Sequence, residues 1–292
     1  TTVSGRGKSP GQLIRARRWL KHYAPDVFYW NDPHAMTSIG VAAVGLRGIR
    51  LIARRTSYRL KSALPYRLFS DRVLCVSEAV QDQCVRDGVP PAMARVVYDG
   101  VPPMDLCDPA AARRELKFRP DDYIVTCAAA LTTEKNQRTL IEAWSQVPAE
   151  VNGRRTRLLL AGEGPCQGEL HNLVVQHCLE DRVSLLGYRD DIAKIFAATD
   201  LFVMPSVREG LCSAGIQAMS CGCIMLVANT GGLPELLGDL SEDQGQVVSN
   251  PLSSDEWASK MLQMIGATAS STSPLDRDRL IARGRFFSVD RM

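Results

Sequence analysis

An acidic residue, a run of small residues and an amide follow an apolar segment in the stretch Pro205–Gly222, PSVREGLCSAGIQAMSCG. The small residues let backbone N–H groups approach a ligand closely. They are Gly210, Cys212, Ser213, Ala214 and Gly215. A helix predicted at Ile216–Ser220 adds its positive end, so the segment is suited to an anion such as a phosphate. Glu209 is then an acceptor for hydroxyl groups beside that phosphate; alternatively, it only caps the helix while the small residues pack.

A second loop, LTTEKNQRTLIEAW, places Lys135 at the start of a predicted helix that follows an apolar segment. A lysine in this position can hold a pyrophosphate as a point charge. The alternative is an ordinary solvent-facing lysine. A cation in the first turn opposes the helix dipole, and this mild misfit favours the functional interpretation.

Two further loops carry glycines next to predicted helices. LAGEGP contains Gly162 and Glu163, and NTGGLPELL contains Gly231 and Gly232. Several glycine-bearing loops at one edge of a sheet are more typical of a nucleotide site than of a protein partner.

The sequence contains four histidines, and one of them lies where a predicted strand meets a helix, a common position for functional residues. His34, in WNDPH, follows an apolar run, so Asp32 and His34 either act in acid–base work or substrate binding, or Asp32 caps a helix beside an incidental histidine. His171 and His177 lie six residues apart on one predicted helix, too far round it to share a metal. No Gly-x-Ser-x-Gly elbow or Ser/His/Asp triad is present.

From about Pro25 the chain alternates short apolar runs with amphipathic stretches. This pattern predicts an α/β fold with parallel sheets covered by helices on both faces. A proline-rich break at Gly100–Ala112 divides the alternation, and we place two domains at residues 1–105 and 106–292. In such folds ligands bind beyond the carboxyl ends of the strands, which is where the loops above are predicted to lie.

Composition limits the cellular setting. The nine cysteines form no Cys-x-x-Cys pair, which favours a reduced, cytoplasmic protein without a zinc site or disulfide framework. The longest apolar run, Ser38–Ala53, is broken by Arg47 and Arg50 and is too short for a membrane span. Residues 1–100 hold 16 lysines and arginines against 7 aspartates and glutamates, a charge of +9, whereas the rest of the chain carries −6. A basic first part suits phosphate-bearing substrates, nucleic acid or an anionic membrane surface, or is simply a solvated face.

Five segments in order, from about Asp71 to Glu235, resemble the retaining glycosyltransferases of the GT-B fold, in particular family 4. The donor-binding signature of that family is a glutamate, seven residues and a second glutamate, which is similar to the segment Pro205–Leu237. The other four segments match successive units of the family. They are DRVLCVSEAVQDQCVRDGVPPAMARVVYDGVP, LTTEKNQRTLIEAW, LLLAGEGP and VSLLGYRDDIAKIFAATDLFVMPS.

This resemblance implies two Rossmann-like domains, of which the first is incomplete at its start. It implies transfer of a sugar from a UDP- or GDP-sugar to a glycan or lipid-linked acceptor, with retained anomeric configuration and without a metal or other cofactor. Cell-envelope polysaccharide biosynthesis in the cytoplasm, with possible peripheral contact of the basic first domain at the inner face of the membrane, fits these expectations.

The same resemblance assigns roles by position. Glu209 and Lys135 are the catalytic candidates, the first contacting the donor sugar and the second neutralising the diphosphate. The amides near Ser213–Ile216 bind the diphosphate, and Gln217 faces the ribose. The remaining expected donor-site residues are Gly210, Gly162 and Glu163.

Departures from the family pattern keep other functions open. Ala129 and Ala130 stand where relatives have Gly-Arg, Gln217 replaces the second glutamate, and residues 54–56 replace a histidine-bearing loop. The alternatives are a non-catalytic GT-B remnant that binds nucleotide or a partner, and a sugar-nucleotide 2-epimerase. Nucleic-acid binding is disfavoured because the basic residues lack interleaved aromatics and a reader motif.

Overall fold

The computed structural model describes residues 10–54, 59–268 and 274–291. The chain divides into two compact units, Thr1–Tyr98 and Asp99–Met292, each with its own parallel sheet.

The first unit is built on a four-stranded sheet in the order β1-β2-β3-β4, with every pairing parallel. Its strands are β1 (Val27–Trp30), β2 (Ile49–Arg54), β3 (Arg72–Cys75) and β4 (Ala94–Val96). Its helices are α1 (Pro10–Tyr23), α2 (Pro33–Ala43), α3 (Leu64–Phe69) and α4 (Glu78–Arg86). Ser77 caps α4 because its side chain accepts a hydrogen bond from the amide of Val80 at 3.2 Å.

The second unit contains a larger sheet in the order β11-β10-β9-β5-β7-β6, and β8 also pairs with β7. All pairings are parallel except that of β6 with β7. The strands are β5 (Tyr123–Ala128), β6 (Glu150–Val151), β7 (Arg154–Ala161), β8 (Val183–Gly187), β9 (Leu201–Met204), β10 (Ile224–Ala228) and β11 (Gly245–Val248). The helices are α5 (Pro109–Glu115), α6 (Gln137–Trp144), α7 (Gln167–Gln176), α8 (Ile192–Ala198), α9 (Ser213–Ser220), α10 (Leu233–Leu237), α11 (Ser254–Thr268) and α12 (Pro274–Arg285).

The central strands of this sheet are covered on both faces. Every residue of β5, β9 and β10 is buried, as the near-continuous apolar runs predict for parallel strands between two layers of helices. The predicted α/β class is therefore confirmed. Because these strands are parallel, the loops that follow them reach the same edge of the sheet.

The unit boundary lies after Tyr98, a few residues before the predicted boundary between residues 105 and 106. The reason is a backbone pairing around Val101. Its amide donates to the carbonyl of Phe287 at 2.8 Å, and its own carbonyl accepts from the amide of Val289 at 3.3 Å. These bonds hold the proline-rich segment on the second unit.

Helix α12 braces two helices of the second unit from their carboxyl ends. Arg277 donates to the carbonyl oxygen of Cys221, just after α9, at 3.0 Å, and Arg283 donates to that of Leu236 in the last turn of α10 at 2.9 Å. Guanidinium groups stabilise helix carboxyl ends by satisfying unpaired carbonyls and by opposing the helix dipole. The amino ends of α9 and α10 are thereby fixed at the opposite edge, where the candidate residues lie.

Candidate active site

The sequence predicts that Lys135 begins a helix. In the structure Lys135 instead ends a short 3-10 helix, Thr133–Lys135. The next residue, Asn136, adopts the left-handed conformation with φ of 57°, and α6 begins only after it. Asparagine tolerates this conformation, and the side chain of Asn136 is held by bonds to the carbonyls of Pro205 at 3.2 Å and Pro251 at 2.9 Å. Lys135 is therefore outside the first turn of α6, so the helix-dipole misfit that favoured a functional interpretation is absent.

Lys135 and Glu209 form the central contact of the site. Lys135 Nζ lies 2.5 Å from Glu209 Oε2, although 74 residues separate them along the chain. Their side chains are only 25% and 11% exposed. The hydroxyl of Ser206 also donates to Glu209 Oε2, at 3.3 Å. Sequence reasoning selected both residues from separate loops, and the fold brings them together.

The charge state of this pair follows from its surroundings. Burial by itself lowers the pKa of Lys135, but the adjacent Glu209 carboxylate, through its charge and its hydrogen bond, raises the pKa above the ordinary lysine value. Lys135 is therefore a fixed cation at neutral pH. A fixed cation of this kind is what a phosphate-bearing ligand requires.

Three loops at this edge are tied together through their backbones. The amide of Val207 donates to the carbonyl of Glu134 at 2.9 Å, and Thr230 Oγ1 donates to that of Ser206 at 2.8 Å. Gly231, with φ of 52°, passes so close that an added Cβ would lie 1.8 Å from the Glu209 carbonyl oxygen. The loops after β5, β9 and β10 therefore fix the backbone that carries Lys135 and Glu209. This explains the requirement for glycine in NTGG.

Helix α9 begins at Ser213, three residues before the predicted start at Ile216. Cys212 precedes it and accepts two hydrogen bonds, from Gly215 N on Sγ at 3.2 Å and from Ile216 N on the carbonyl oxygen at 3.1 Å. These two amides, both expected to bind a diphosphate, thus already have partners. We assign the amides of Ser213 and Ala214, in the first turn, to an incoming anion. The Ala214 amide also hydrogen-bonds to the Cys212 thiol and would be shared between that sulfur and the anion.

The Cys212 thiol is a structural cap. Burial raises the pKa of Cys212 to about 12, and the nearby Glu209 carboxylate acts in the same direction. The thiol therefore stays neutral and contributes no negative charge at the amino end of α9. The sequence analysis missed this role because sulfur is an uncommon capping acceptor.

Gly162 and Glu163 shape the edge of the site through backbone packing. Gly162, with φ of 142°, lies so close to the loop after β5 that an added Cβ would be 2.0 Å from the carbonyl oxygen of Ala129. Glu163 is exposed, and its Oε1 accepts from the amide of Tyr188 at 3.3 Å. Tyr188, at the end of β8, is 74% exposed and offers a flat aromatic surface at the same edge. Tyr188 was not among the residues predicted for the site, because the feature that marks it is its exposure, which the sequence does not show.

The remaining donor-site candidates lie on the same framework. Gly210 is buried and its carbonyl accepts from the amide of Gly232 at 3.1 Å. Gln217 is half-buried in the middle of α9. Ala130 is exposed, and its carbonyl accepts from Gln137 Nε2 at 3.0 Å. The site therefore has a methyl group where the family pattern has an arginine.

In the first unit, Asp32 performs the capping role that the sequence left open. Its Oδ1 accepts from the amides of His34 at 2.7 Å and Ala35 at 2.9 Å, at the start of α2. His34 is exposed. Arg54 ends β2 and is buried, whereas Arg55 and Thr56 lie outside the described residues. Among the residues that the structure describes, no group of three or more histidine, cysteine, aspartate or glutamate side chains is placed to hold a metal ion.

Comparison with known proteins identifies the family. Residues 109–284 match the family described as Glycosyl transferases group 1, and residues 2–104 match Glycosyltransferase Family 4. The chain belongs to the glycosyl transferases group 1 family. The matched range contains Lys135, Glu209 and all of α9.

Curated relatives share part of the chain. The D-inositol 3-phosphate glycosyltransferase of Mycobacteroides abscessus is 29% identical over 181 residues, which cover 58% of this chain and 39% of that protein. The O-antigen chain mannosyltransferase B of Escherichia coli is 32% identical over 133 residues, which cover 45% of this chain and 34% of that protein. The chain therefore spans less than half the length of these relatives.

Solved structures confirm the GT-B fold. Anabaena Alr3699/HepE in complex with UDP superimposes with a TM-score of 0.82 at 22% identity, covering 96% of this chain and 79% of that one. A glycosyltransferase from Rickettsia africae gives a TM-score of 0.84 at 16% identity, covering 100% of this chain and 81% of that one. Within the described ranges, no helix has both the length and the apolar character needed to cross a membrane.

Proposed function

We propose that this chain provides the donor site of a retaining glycosyltransferase that moves a sugar from a UDP- or GDP-sugar to a hydroxyl of a glycan or lipid-linked acceptor. The observation that carries the proposal is the largely buried Lys135–Glu209 pair at the carboxyl edge of the sheet. A cation, two first-turn amides of α9 and a carboxylate meet there, which matches the phosphates and hydroxyls of a sugar nucleotide. The UDP complex of the similarly folded Anabaena protein supports testing UDP first.

In the proposed reaction, the bond between the anomeric carbon and the phosphate oxygen breaks and a bond to the acceptor oxygen forms on the same face. The acceptor proton passes to the departing phosphate, so no protein nucleophile or metal is required. Lys135 and the amides of Ser213 and Ala214 stabilise the charge that develops on the leaving group. Removing one such donor from a preorganised site typically lowers the rate about 100- to 1,000-fold. Glu209 accepts hydrogen bonds from the sugar hydroxyls and fixes the reacting carbon.

A second candidate function is nucleotide binding without transfer. Ala130 and Gln217 favour it, because each replaces a charged residue of the family pattern. Release of nucleoside diphosphate from a bound sugar nucleotide, measured with a mixture of glycan acceptors, separates the two functions. Binding without any release would favour the non-catalytic candidate.

The first experiment is a thermal-shift screen of the chain against UDP, GDP, ADP and their common sugar conjugates. A ligand that binds only the folded protein raises the melting temperature by mass action, by an amount that grows with its concentration relative to Kd. We expect a clear shift with a UDP or GDP compound and none with inorganic phosphate at equal ionic strength. An unchanged melting temperature with every nucleotide would contradict the proposed function.

We also propose a cytoplasmic location with contact at the inner face of the membrane through α1. This helix contains no acidic residue, and its exposed residues include Arg15, Arg18 and Lys21. Trp19 and Tyr23 are 46% and 60% exposed, with ring centroids 4.5 Å apart. In α1, unlike the basic part of the chain as a whole, basic residues lie beside exposed aromatic residues, a combination that favours the surface of an anionic bilayer. Cosedimentation with vesicles containing phosphatidylglycerol, but not with purely zwitterionic vesicles, is expected, and Trp19→Ala should reduce it; equal pelleting with both vesicle types would argue against this contact.

A further inference from the structure

Two neighbouring residues on one loop form ion pairs with two neighbouring residues on another. Lys135 contacts Glu209, and Arg208 Nη1 lies 3.3 Å from Oε1 of Glu134. The hydrogen bond from Val207 N to the Glu134 carbonyl lies between the same loops. The four side chains of this cluster, Glu134, Lys135, Arg208 and Glu209, contain two cations and two carboxylates. The cluster is therefore neutral without a ligand.

The two pairs differ in how readily they open. Lys135 and Glu209 are 25% and 11% exposed, whereas Arg208 and Glu134 are 46% and 44% exposed. An exposed ion pair contributes only about 0–1 kcal/mol, because water solvates both partners when they separate. Separating a largely buried pair leaves an uncompensated charge and costs more. Arg208 therefore separates from its carboxylate partner at a lower free-energy cost than Lys135 does.

A diphosphate requires more positive charge than the site offers through Lys135 alone. Lys135 is already neutralised by Glu209, and position 130, where the family pattern has an arginine, is occupied by alanine. Bringing at least two negative charges to this edge is unfavourable unless another cation turns toward them.

We propose that Arg208 is the second cation of the donor site and that it exchanges its Glu134 carboxylate for the diphosphate. The inference rests on the proposed function, since it assigns a further residue to the same ligand. A planar guanidinium can bind two phosphate oxygens through two parallel hydrogen bonds in a fixed geometry, which an ammonium does not offer. Glu134 then returns to water, where its exposure already places it. In this role Arg208 determines affinity for the diphosphate part of the donor and compensates for Ala130.

The test compares variants of the two partners of the exposed pair, for which we expect Kd to change in opposite directions. UDP and GDP are titrated calorimetrically into the wild-type chain, Arg208→Met and Glu134→Gln. If Arg208 binds the diphosphate, Arg208→Met should raise Kd about tenfold, and Glu134→Gln should lower it about threefold because the competing carboxylate is gone. If the pair only ties two loops together, both variants break the same contact and should change Kd in the same direction.

A matched control is Arg138→Met. Arg138 is 51% exposed and pairs with Glu142 and Glu169 beside α6, so it tests the loss of a similar surface cation. We expect its Kd to equal that of the wild type, and equal melting temperatures would show that all three variants fold. Unchanged affinity in Arg208→Met, with affinity still lost in Lys135→Met, would overturn the role of Arg208 alone. Absence of binding by the wild type and by Glu134→Gln would overturn the proposed function and this inference with it.

Discussion

Replacing Glu209 with glutamine is expected to lower sugar transfer by roughly a hundredfold while leaving the fold intact. Glutamine has the shape of glutamate, so packing against Ser206 and the neighbouring loops is kept. The variant removes the charge that accepts hydrogen bonds from donor hydroxyls, and a hydrogen bond to a charged group contributes about 1.5–3 kcal/mol. The measurement is release of nucleoside diphosphate from a UDP- or GDP-sugar in the presence of glycan acceptors.

The same variant should not lose affinity for free UDP or GDP. Glu209 neutralises Lys135 in the wild type, so its replacement leaves the ammonium more available to a diphosphate. Loss of transfer with retained nucleotide binding is therefore the signature of a residue that holds the sugar. Glu142→Gln, which removes an exposed carboxylate from α6, serves as the control. Full transfer activity in Glu209→Gln would remove this carboxylate from the site.

Replacing Lys135 with methionine is expected to raise Kd for UDP or GDP about ten- to a hundredfold, because one charge-assisted hydrogen bond to phosphate is lost. It should also destabilise the free protein. Glu209, 11% exposed, would keep its carboxylate without the ammonium beside it, at a cost of about 1–3 kcal/mol, less than for a fully buried pair. Urea unfolding and calorimetry check both effects. The double variant Lys135→Met/Glu209→Gln should recover stability without recovering affinity, and a Lys135→Met chain that binds as the wild type does would contradict the assignment.

The stability effect should depend on pH with a defined sign. The folded-state pKa of Lys135 is raised above 10.5, the ordinary lysine value. Its contribution is therefore complete below that value and is lost as pH rises through the higher folded-state pKa. The difference in unfolding free energy between wild type and Lys135→Met should be constant near neutrality and shrink in alkaline solution. A difference that persists undiminished well above the folded-state pKa would mean that the ion pair is not its source.

The parts of the fold that the sequence predicts are those governed by local pattern. The runs that form β5, β9 and β10 are almost entirely apolar because both faces of the sheet are covered, and the loops after them are marked by glycine and charge. Lys135 and Glu209 are marked as candidates by their positions in these loops, and the resemblance to family 4 gives their expected catalytic roles. Their shared edge follows from parallel strands.

The parts that the sequence does not predict depend on contacts between distant segments. The left-handed Asn136 is stabilised by carbonyls of Pro205 and Pro251, which no local window contains. Helix α12 is rich in arginine, a composition typical of a solvent-exposed helix. Arg283 nevertheless donates to carbonyls at the end of α10. The pairing of residues 134 and 135 with residues 208 and 209 likewise depends on β5 and β9 being neighbours in the sheet.

The decisive experiment for the proposed donor site is a crystal structure of this chain with UDP or GDP, whichever gives the larger thermal shift. We expect the diphosphate at the amino end of α9, with phosphate oxygens within hydrogen-bonding distance of Lys135 Nζ and of the amides of Ser213 and Ala214. A nucleotide bound elsewhere on the second unit, with Lys135 still paired only to Glu209, would contradict it.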